Sequence, residues 1–212
     1  MTATFLVAAL VGSLVVVGVG NLVIFGAARW AKSHVPSASQ PEMPGIRNFQ
    51  KVDERVWRGA APSPLGYRTL AAQGVRTVVD LRAEENIEVD DAALHQLGIN
   101  RLHIPVRDGQ APSGEKVKQV LDTLLATDGK VFIHCGAGVG RTGTMAAAYL
   151  VATGQAAPSE ALRRNLAVGP PSLEQVAFVA ELAGSRTRRP ASALVAFSRA
   201  LDAPRRIWSR LG

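Results

Sequence analysis

A single cysteine and an arginine six residues after it are the side chains in this chain best suited to chemistry. Cys135 is the only cysteine among the 212 residues, and a glycine-rich loop joins it to Arg141. Glycines allow successive backbone N–H groups to turn inward as a concave nest, and a guanidinium adds a planar fork of donors that matches two phosphate oxygens. Such donors also favour a thiolate over a thiol. The stretch therefore predicts a nucleophilic sulfur at the floor of a cradle for a phosphoryl dianion.

The residues on either side of the loop indicate the two elements that must position it. Lys130 to His134 alternates too little for an exposed strand, so we expect a buried strand that delivers Cys135 to the carboxyl edge of a sheet. Ligand sites gather at that edge. Residues 145–151 are Ala-rich and apolar and predict a helix, which places Gly140 to Gly143 at its amino end. Unpaired N–H groups at a helix amino end attract anions.

The order of residue types in this stretch resembles the signature of the cysteine-dependent protein tyrosine and dual-specificity phosphatases. His134 and Cys135 are followed after five residues by Arg141, Thr142 and a glycine, and the inner glycine of the signature falls at Gly138. The resemblance implies a hydrolase in which Cys135 attacks phosphorus and forms a phosphocysteine intermediate. It implies no metal and no cofactor.

The resemblance also implies roles for the neighbours of the cysteine. The phosphate would be bound by the loop and its arginine, which are Gly136, Ala137, Gly138, Val139, Gly140 and Arg141. His134 would fix the backbone and thiolate of Cys135, and Thr142 would donate a hydroxyl that eases departure of the thiolate in the second step. The alternative is a buried structural cysteine, or a redox thiol, ahead of a loose glycine turn. That alternative leaves Arg141 and Thr142 without a function.

Asp108 is the candidate proton donor. Phosphoryl transfer to a thiolate needs a proton for the departing oxygen and then a base for the attacking water. Asp108 lies in a polar loop 27 residues before Cys135, and this position resembles the general-acid loop of the same family. The loop lacks the tryptophan of the tyrosine-specific branch and resembles the dual-specificity and atypical members, among them bacterial ones. The alternative is a turn aspartate that bonds to its own backbone ahead of Gly109.

The pattern of apolar and polar residues predicts an α/β domain over residues 48–183. Helices are expected at Leu65 to Gln73, Glu85 to Leu97, Ser113 to Thr127, Pro158 to Val168 and after Ser172 through Ala183, and buried strands at Val75 to Leu81, Ile99 to Pro105 and Lys130 to His134. The resemblance covers residues 50–183 and implies a central, mostly parallel sheet of about four to five strands flanked by helices. One transmembrane helix would precede this domain.

Four positions outside the signature are further candidates. Arg58, in an entry segment that also resembles the family, either lines the site or, as we expect, is a surface residue of a strand. Asp80 and Arg82 follow a predicted strand and either support the active-site loop, as in the family, or Asp80 caps a helix. Gln175 lies where relatives often carry a glutamine, which in some of them positions water.

Residues 1–29 are predicted to form a transmembrane anchor. Ala3 to Ala28 contains no charged residue and would span about 39 Å as a helix, more than the roughly 30 Å hydrocarbon core of a bilayer. A cleaved secretory signal is the alternative, but the basic first region and the short apolar core of such signals are missing. Lys and Arg follow the span and none precedes it, so the positive-inside rule places the catalytic domain in the cytoplasm. Residues 30–47, rich in Pro and Ser, would be a linker.

The net charge of +7 lies in the flanks of the chain. Residues 48–183 carry fourteen Lys or Arg and fifteen Asp or Glu, whereas residues 184–212 carry seven and one. A nearly neutral domain argues against a nucleic-acid-binding surface. In residues 184–212, basic residues beside an aliphatic and aromatic stripe are typical of a helix that lies in a membrane interface, and a disordered basic tail is the alternative. We therefore expect a membrane, and no nucleic acid, as a partner.

Three functions remain open at this point. The first is a membrane-anchored phosphatase acting on phosphotyrosine or phosphoserine/threonine in proteins. The second is a phosphatase for lipid or small-molecule phosphomonoesters, although the absence of charged residues between Cys135 and Arg141 disfavours highly phosphorylated head groups. The third is a phosphate-binding module without catalysis that recruits phosphoproteins, against which the intact Cys135, Arg141 and Asp108 argue.

Overall fold

A computed structural model describes residues 18–20, 22–35, 42–84, 89–183 and 190–202 of the chain. Strands and helices alternate from residue 56 to residue 152, and the elements described after that are helices. The strands are β1 Gln50–Lys51, β2 Val56–Ala60, β3 Val75–Asp80, β4 Asn100–His103 and β5 Lys130–Cys135. The helices are α1 at residues 22–34, α2 Pro64–Ala72, α3 Asp91–Gln96, α4 Gly114–Ala126, α5 Gly140–Ala152, α6 Pro158–Val168, α7 Leu173–Ala180 and α8 Ser192–Leu201.

The strand that ends at the cysteine lies in the middle of the sheet. The strand order is β1-β2-β5-β3-β4, and every pair is parallel except β1 with β2. In the register of these pairs, Ala60 lies opposite Cys135 and Asp80 lies opposite His134. The carboxyl ends of β2, β3 and β5 therefore meet around the signature residues. The prediction of a mostly parallel central sheet with flanking helices is confirmed.

Apolar side chains cover both faces of this sheet. One cluster includes Leu124 and Met145, from α4 and α5, and the other includes Leu70 from α2 together with Trp57. The apolar residues of β5 are all fully buried, as a continuous apolar run predicts for a central parallel strand. Helix α5 is buried from Arg141 to Val151. The signature loop is thus held between two elements that solvent does not reach.

Two predicted helices are shorter than expected. The helix predicted over Glu85 to Leu97 is described only at Asp91–Gln96, and residues 85–88 lie outside the described residues. The carboxylate of Asp90 accepts a hydrogen bond from the Ala93 N–H, so this aspartate is the cap at which the helix begins. Helix α7 ends at Ala180 and not at Ala183. The other predicted helices and strands agree with the structure to within a few residues.

The predicted linker over residues 30–47 is partly structured. Helix α1 continues to residue 34, and the Ser33 hydroxyl donates to the Trp30 carbonyl at 2.9 Å. Residues 36–41 lie outside the described residues. At the end of the linker, Gly45 adopts a φ of +79°, a turn conformation that suits glycine. The turn places Ile46 in the apolar cluster of Leu70, so the packed domain begins before residue 48.

Helix α8 shows that part of the basic tail is folded. It packs against α7, and its residues Ser198 and Leu201 are buried. The helical segment before α1 also approaches it, since a Cβ placed on Gly20 would lie 3.4 Å from Leu201 Cδ1. Residues 184–189 and 203–212 of the predicted tail, and residues 1–17 and 21 of the predicted anchor, lie outside the described residues. In the ranges that are described, no helix combines the length and the apolar character needed to span a membrane.

Candidate active site

The signature loop connects Cys135 at the end of β5 with Gly140 at the start of α5. Its inner glycine, Gly138, has a φ of +75°, which L side chains rarely adopt. A Cβ on Gly138 would also lie 2.3 Å from the backbone carbonyl carbon of Gly59 in β2. The Gly138 N–H donates to Cys135 Sγ at 3.3 Å. The glycine thus directs an N–H group at the sulfur, as an anion-binding loop requires.

The carbonyl oxygens of the loop are held from behind. Three donors from neighbouring segments bind three successive carbonyl oxygens: Ala61 N to Gly136 O at 3.1 Å, Asn48 Nδ2 to Ala137 O at 2.9 Å and Arg58 Nη2 to Gly138 O at 2.7 Å. The C=O and the following N–H of a peptide unit point in opposite directions. Holding the carbonyls outward therefore turns the N–H groups of the loop inward.

Arg58 is not the surface residue that we expected from the sequence. Its side chain is 3% exposed, and it contacts Asn165 Oδ1 at 3.3 Å as well as the loop. The physical reason is that β2 is an inner strand next to β5, and all of its residues are buried. Burial lowers the pKa of Arg58 to about 10, and the nearby Cys135 sulfur counteracts part of that effect. Arg58 is therefore still a cation at neutral pH, placed behind the loop.

Asn165 of α6 explains another glycine of the signature. A Cβ on Gly143 would lie 1.6 Å from Asn165 Oδ1, so only glycine fits where α5 meets α6. Neither Asn165 nor Asn48 was a candidate from the sequence. Both are far from the signature along the chain, and no local pattern marks them.

Two carboxylates hold the guanidinium of Arg141. Glu84 accepts hydrogen bonds from both terminal nitrogens, at 3.0 and 2.7 Å, and Asp108 Oδ1 lies 3.2 Å from Nε. The Nε–H is not directed at Asp108, because Nε has no hydrogen-bond partner among the described residues. Burial lowers the pKa of Arg141, but the hydrogen bonds to Glu84 and the charges of Cys135 and Asp108 outweigh it and raise the pKa above its ordinary value. Nη1 donates its other N–H to Val106 O at 3.2 Å, so Nε and the second N–H of Nη2 are the donors left for a bound anion.

Glu84 was missed by the sequence reasoning. Burial raises the pKa of this carboxyl, but the hydrogen bonds from Arg141 outweigh burial and hold the pKa below its ordinary value. Glu84 follows the carboxyl end of β3, four residues after Asp80. The rule that ligand-binding side chains gather at this edge of a parallel sheet is the signal that could have found it.

Cys135 and Asp108 line the same cavity, which has a volume of about 90 Å³. Pro170 and Pro171, between α6 and α7, form part of its wall, and Asp202 at the end of α8 forms another part. A wider cleft of about 1040 Å³ lies beside residues 42–50, but Cys135 does not line it. We take the smaller cavity as the reaction site, because it contains the sulfur and the candidate acid.

A buried polar pair lies behind the cysteine. His134 Nδ1 is 3.3 Å from Cys135 O and 3.8 Å from Asp80 Oδ1, and both side chains are almost completely buried. Asp80 accepts hydrogen bonds from Arg82 Nε and Nη2 at 2.9 and 2.8 Å. No helix begins at residues 81–84, so the prediction that Asp80 caps a helix is wrong. The contacts of Asp80 agree with the other option, in which it supports the His134–Cys135 segment. Burial lowers the pKa of His134 to about 4, against the Asp80 charge, which raises it.

Two other predicted residues lie beside the loop. The Thr142 hydroxyl is buried and has no hydrogen-bond partner in the described part of the chain, so its hydrogen bond to the sulfur is not formed here and its role in the second step stays a prediction. Gln175 borders the loop, since a Cβ on Gly140 would lie 2.6 Å from Gln175 Oε1. Among the described residues, no group of three or more His, Cys, Asp or Glu side chains is arranged to hold a metal ion.

Residues 54–155, which include Asp108 and the whole signature loop, match a family model described as "Polymorphic toxin system, DSP-PTPase phosphatase". This part of the chain is similar to the dual-specificity-like cysteine phosphatases. The chain is 35% identical over 69 residues to the human dual specificity protein phosphatase CDC14C, a match that covers 30% of this chain and 15% of that protein. It spans half or less of the length of the curated relatives compared.

Solved structures of similar proteins have the same fold. Tk-PTP in its active form is 27% identical, with a TM-score of 0.54, and the match covers 63% of this chain and 92% of that chain. PTPMT1 in complex with PI(5)P shares the fold at 21% identity and a TM-score of 0.55, over 74% of this chain and 98% of that chain. The resemblance inferred from the signature is therefore confirmed.

We predict that His134 makes the protein less stable in acid. The pKa of His134 is lower in the folded state, about 4, than the 6.5 of an ordinary histidine, so the unfolded chain binds more protons between these values. The free energy of unfolding should fall by roughly 3 kcal/mol as the pH drops from 6.5 to 4. Denaturant unfolding at several pH values measures this slope. In His134→Asn the slope should flatten in that window, and an unchanged slope would contradict the assignment.

Proposed function

We propose that this protein hydrolyses phosphomonoesters through a phosphocysteine intermediate. The Cys135 thiolate attacks phosphorus, and the S–P bond forms as the ester P–O bond breaks. Arg141 Nε and the N–H groups of the loop bind the phosphoryl oxygens. The observation that carries the proposal is that Cys135 and Asp108 line one cavity while Asp108 Oδ1 lies 3.2 Å from Arg141 Nε.

Asp108 is proposed as the proton donor of the first step and the base of the second. As a carboxylic acid it gives its proton to the departing ester oxygen, and as a carboxylate it then takes a proton from the attacking water. That water breaks the S–P bond and restores the thiolate. The side chain of Asp108 is 54% exposed, which supports the role because this carboxyl group must exchange protons with solvent between turnovers.

Phosphotyrosine and phosphoserine/threonine in proteins are the proposed substrates. CDC14C is named a dual specificity protein phosphatase, and it matches part of this domain. Lipid or other small phosphomonoesters are the second candidate, since the similarly folded PTPMT1 has been solved with PI(5)P. The uncharged loop interior, with Gly136, Ala137 and Val139, favours a substrate with one phosphate over a multiply phosphorylated head group.

We also propose that the protein is anchored in a membrane by residues 3–28, with its catalytic domain in the cytoplasm. The uninterrupted apolar sequence and the basic residues after it support this placement. In the described part of that region, Leu22, Val23 and Phe25 are exposed. Exposed apolar side chains of this size are favoured where lipid covers them.

Phosphate release by the full chain in a mild detergent tests the proposed reaction. The wild type should release phosphate from an aryl phosphate and from phosphopeptides, and Cys135→Ser should lose at least about a thousandfold of that rate because the nucleophile is gone. Phosphate release from vesicles that contain PI(5)P is measured in parallel. Faster release from these vesicles than from phosphopeptides would indicate that the substrate is a lipid. If the wild type binds phosphopeptides without turnover, the result would contradict the enzyme proposal and favour a module that recruits phosphoproteins.

Replacing the proposed acid should have an effect that depends on the leaving group. Asp108→Asn cannot donate the proton, so the turnover rate should fall by about a hundredfold or more on phenyl phosphate and much less on 4-nitrophenyl phosphate, whose leaving group needs little protonation. Steady-state kinetics on both substrates measure the difference. Asp122→Asn, an exposed aspartate on α4, is the matched control and should resemble the wild type. An equal loss on both substrates would remove Asp108 from this role.

A reporter fused after residue 47 tests the anchor and its orientation. We expect the fusion to sediment with membranes and to be active with a reporter that works only in the cytoplasm. The same fusion without residues 3–28 should stay in the supernatant, because the apolar segment is gone. Activity only from an exported reporter would reverse the proposed orientation.

A further inference from the structure

The first turn of α7 holds the loop that carries Asp108. Three of its residues bind three successive residues after Asp108: Ser172 Oγ donates to Gly109 O at 2.7 Å, Gln175 Nε2 donates to Gln110 O at 3.2 Å and Glu174 Oε1 accepts from Ala111 N at 3.1 Å. The three side chains are nearly completely buried. The hydrogen bonds are therefore partly shielded from water, which makes them stronger than at an exposed site.

Helix α8 holds this turn in place from the other side. Ser198 Oγ accepts from the Glu174 N–H at 2.9 Å, and Arg199 Nε donates to Glu174 Oε2 at 3.2 Å. Asp202, the residue after the helix, lies against the same loop, because a Cβ on Gly109 would be 3.3 Å from Asp202 Oδ2. Glu174 thus connects α8 with the proton-donor loop through its two carboxylate oxygens.

We propose that Glu174 is a positioning residue for the proton donor, and that α8 belongs to the active site because it fixes Glu174. The inference rests on the proposed function and deepens it. Both α7 and α8 lie beyond residue 155, outside the segment that matches the family model. Glu174 and α8 thus lie in a part of the chain that this family match does not cover.

The chemistry of the loop explains why such support is needed. Asp108 is half exposed, and Gly109 beside it has a φ of +72°, so the backbone at this point has little intrinsic rigidity. A proton donor acts only within hydrogen-bond reach of the leaving oxygen, and a misplacement of about 1 Å can cost a large factor in rate. Holding residues 109–111 removes much of that freedom without any contact between Glu174 and the substrate.

The experiment compares two substrates in a set of variants of the full chain. Glu174→Ala removes both carboxylate links. Glu174→Gln keeps an oxygen for Ala111 N but loses the charge pair with Arg199. Arg199→Ala removes this charge pair and keeps the hydrogen bonds of Glu174 to Ala111 and Ser198. Glu160→Gln is the matched control, because Glu160 also accepts from an arginine Nε at 3.1 Å, that of Arg164, on a helix away from the loop. Each is assayed on phenyl phosphate and on 4-nitrophenyl phosphate, alone and combined with Asp108→Asn.

We expect Glu174→Ala to lose about tenfold or more in kcat on phenyl phosphate and less than about threefold on 4-nitrophenyl phosphate. Arg199→Ala and Glu174→Gln should show the same selectivity with smaller losses. In the Asp108→Asn background the additional loss should nearly vanish, since the donor being positioned is already absent. Glu160→Gln should behave as the wild type on both substrates.

Several results would overturn the inference. Equal losses on both substrates, or a full additional loss in the Asp108→Asn background, would mean that Glu174 supports the domain in general. If Glu174→Ala does not fold, Arg199→Ala carries the test, because Arg199 is 46% exposed at its side chain and its loss leaves the buried carboxyl in place. Normal leaving-group selectivity in Arg199→Ala, with an active wild type, would refute the role of α8 in fixing the Glu174 carboxylate and leave the proposed function intact. An inactive wild type would instead refute the proposed function.

Discussion

The candidate active site depends on one constraint: the carbonyl oxygens of the signature loop are bonded on the outside, so that its N–H groups turn inward and that of Gly138 faces the sulfur. The Gly138 carbonyl is buried, where the lack of a partner would cost about 1–3 kcal/mol. Here Asn48, Arg58 and the Ala61 N–H supply the partners. The loop cannot reverse a peptide unit without losing one of these bonds. The donors for a phosphoryl group are therefore oriented before any substrate arrives, which is the condition for strong electrostatic stabilisation of a transition state.

The position of β5 at the centre of the sheet makes this constraint possible. With β2 on one side and β3 on the other, Cys135 has support from two neighbouring strand ends. One neighbour contributes Arg58 behind the loop, and the segment after the other contributes Glu84 to Arg141. The apolar sequence of β5 thus places this strand at the centre of the sheet. Three separate segments therefore surround Cys135.

The residues that were predictable from the sequence are those whose roles are local. Cys135, Gly138 and Arg141 lie in one short motif, and the apolar pattern before it predicted the strand that carries it. Arg58 was assigned to the surface because a charged side chain is seldom buried. Its burial is tolerated because it donates to carbonyl oxygens of a distant loop and to Asn165. Asn165 has the same kind of role, since it matters through contacts that appear only after folding. The start of α3 was not predicted, because the hydrogen bond by which Asp90 caps this helix is visible only in the structure.

The pair of Arg141 with Glu84 also bears on inhibition by the product. Both terminal nitrogens of Arg141 already bond to a carboxylate, at 3.0 and 2.7 Å, before any anion enters. A free phosphate or sulfate ion in the surrounding solution gains little from the charge of an arginine that is neutralised in this way. A phosphate ester brings further contacts from the rest of its molecule, whereas the released ion does not. In the proposed reaction, Glu84 therefore lowers the affinity of the empty site for ambient anions and favours release of the product.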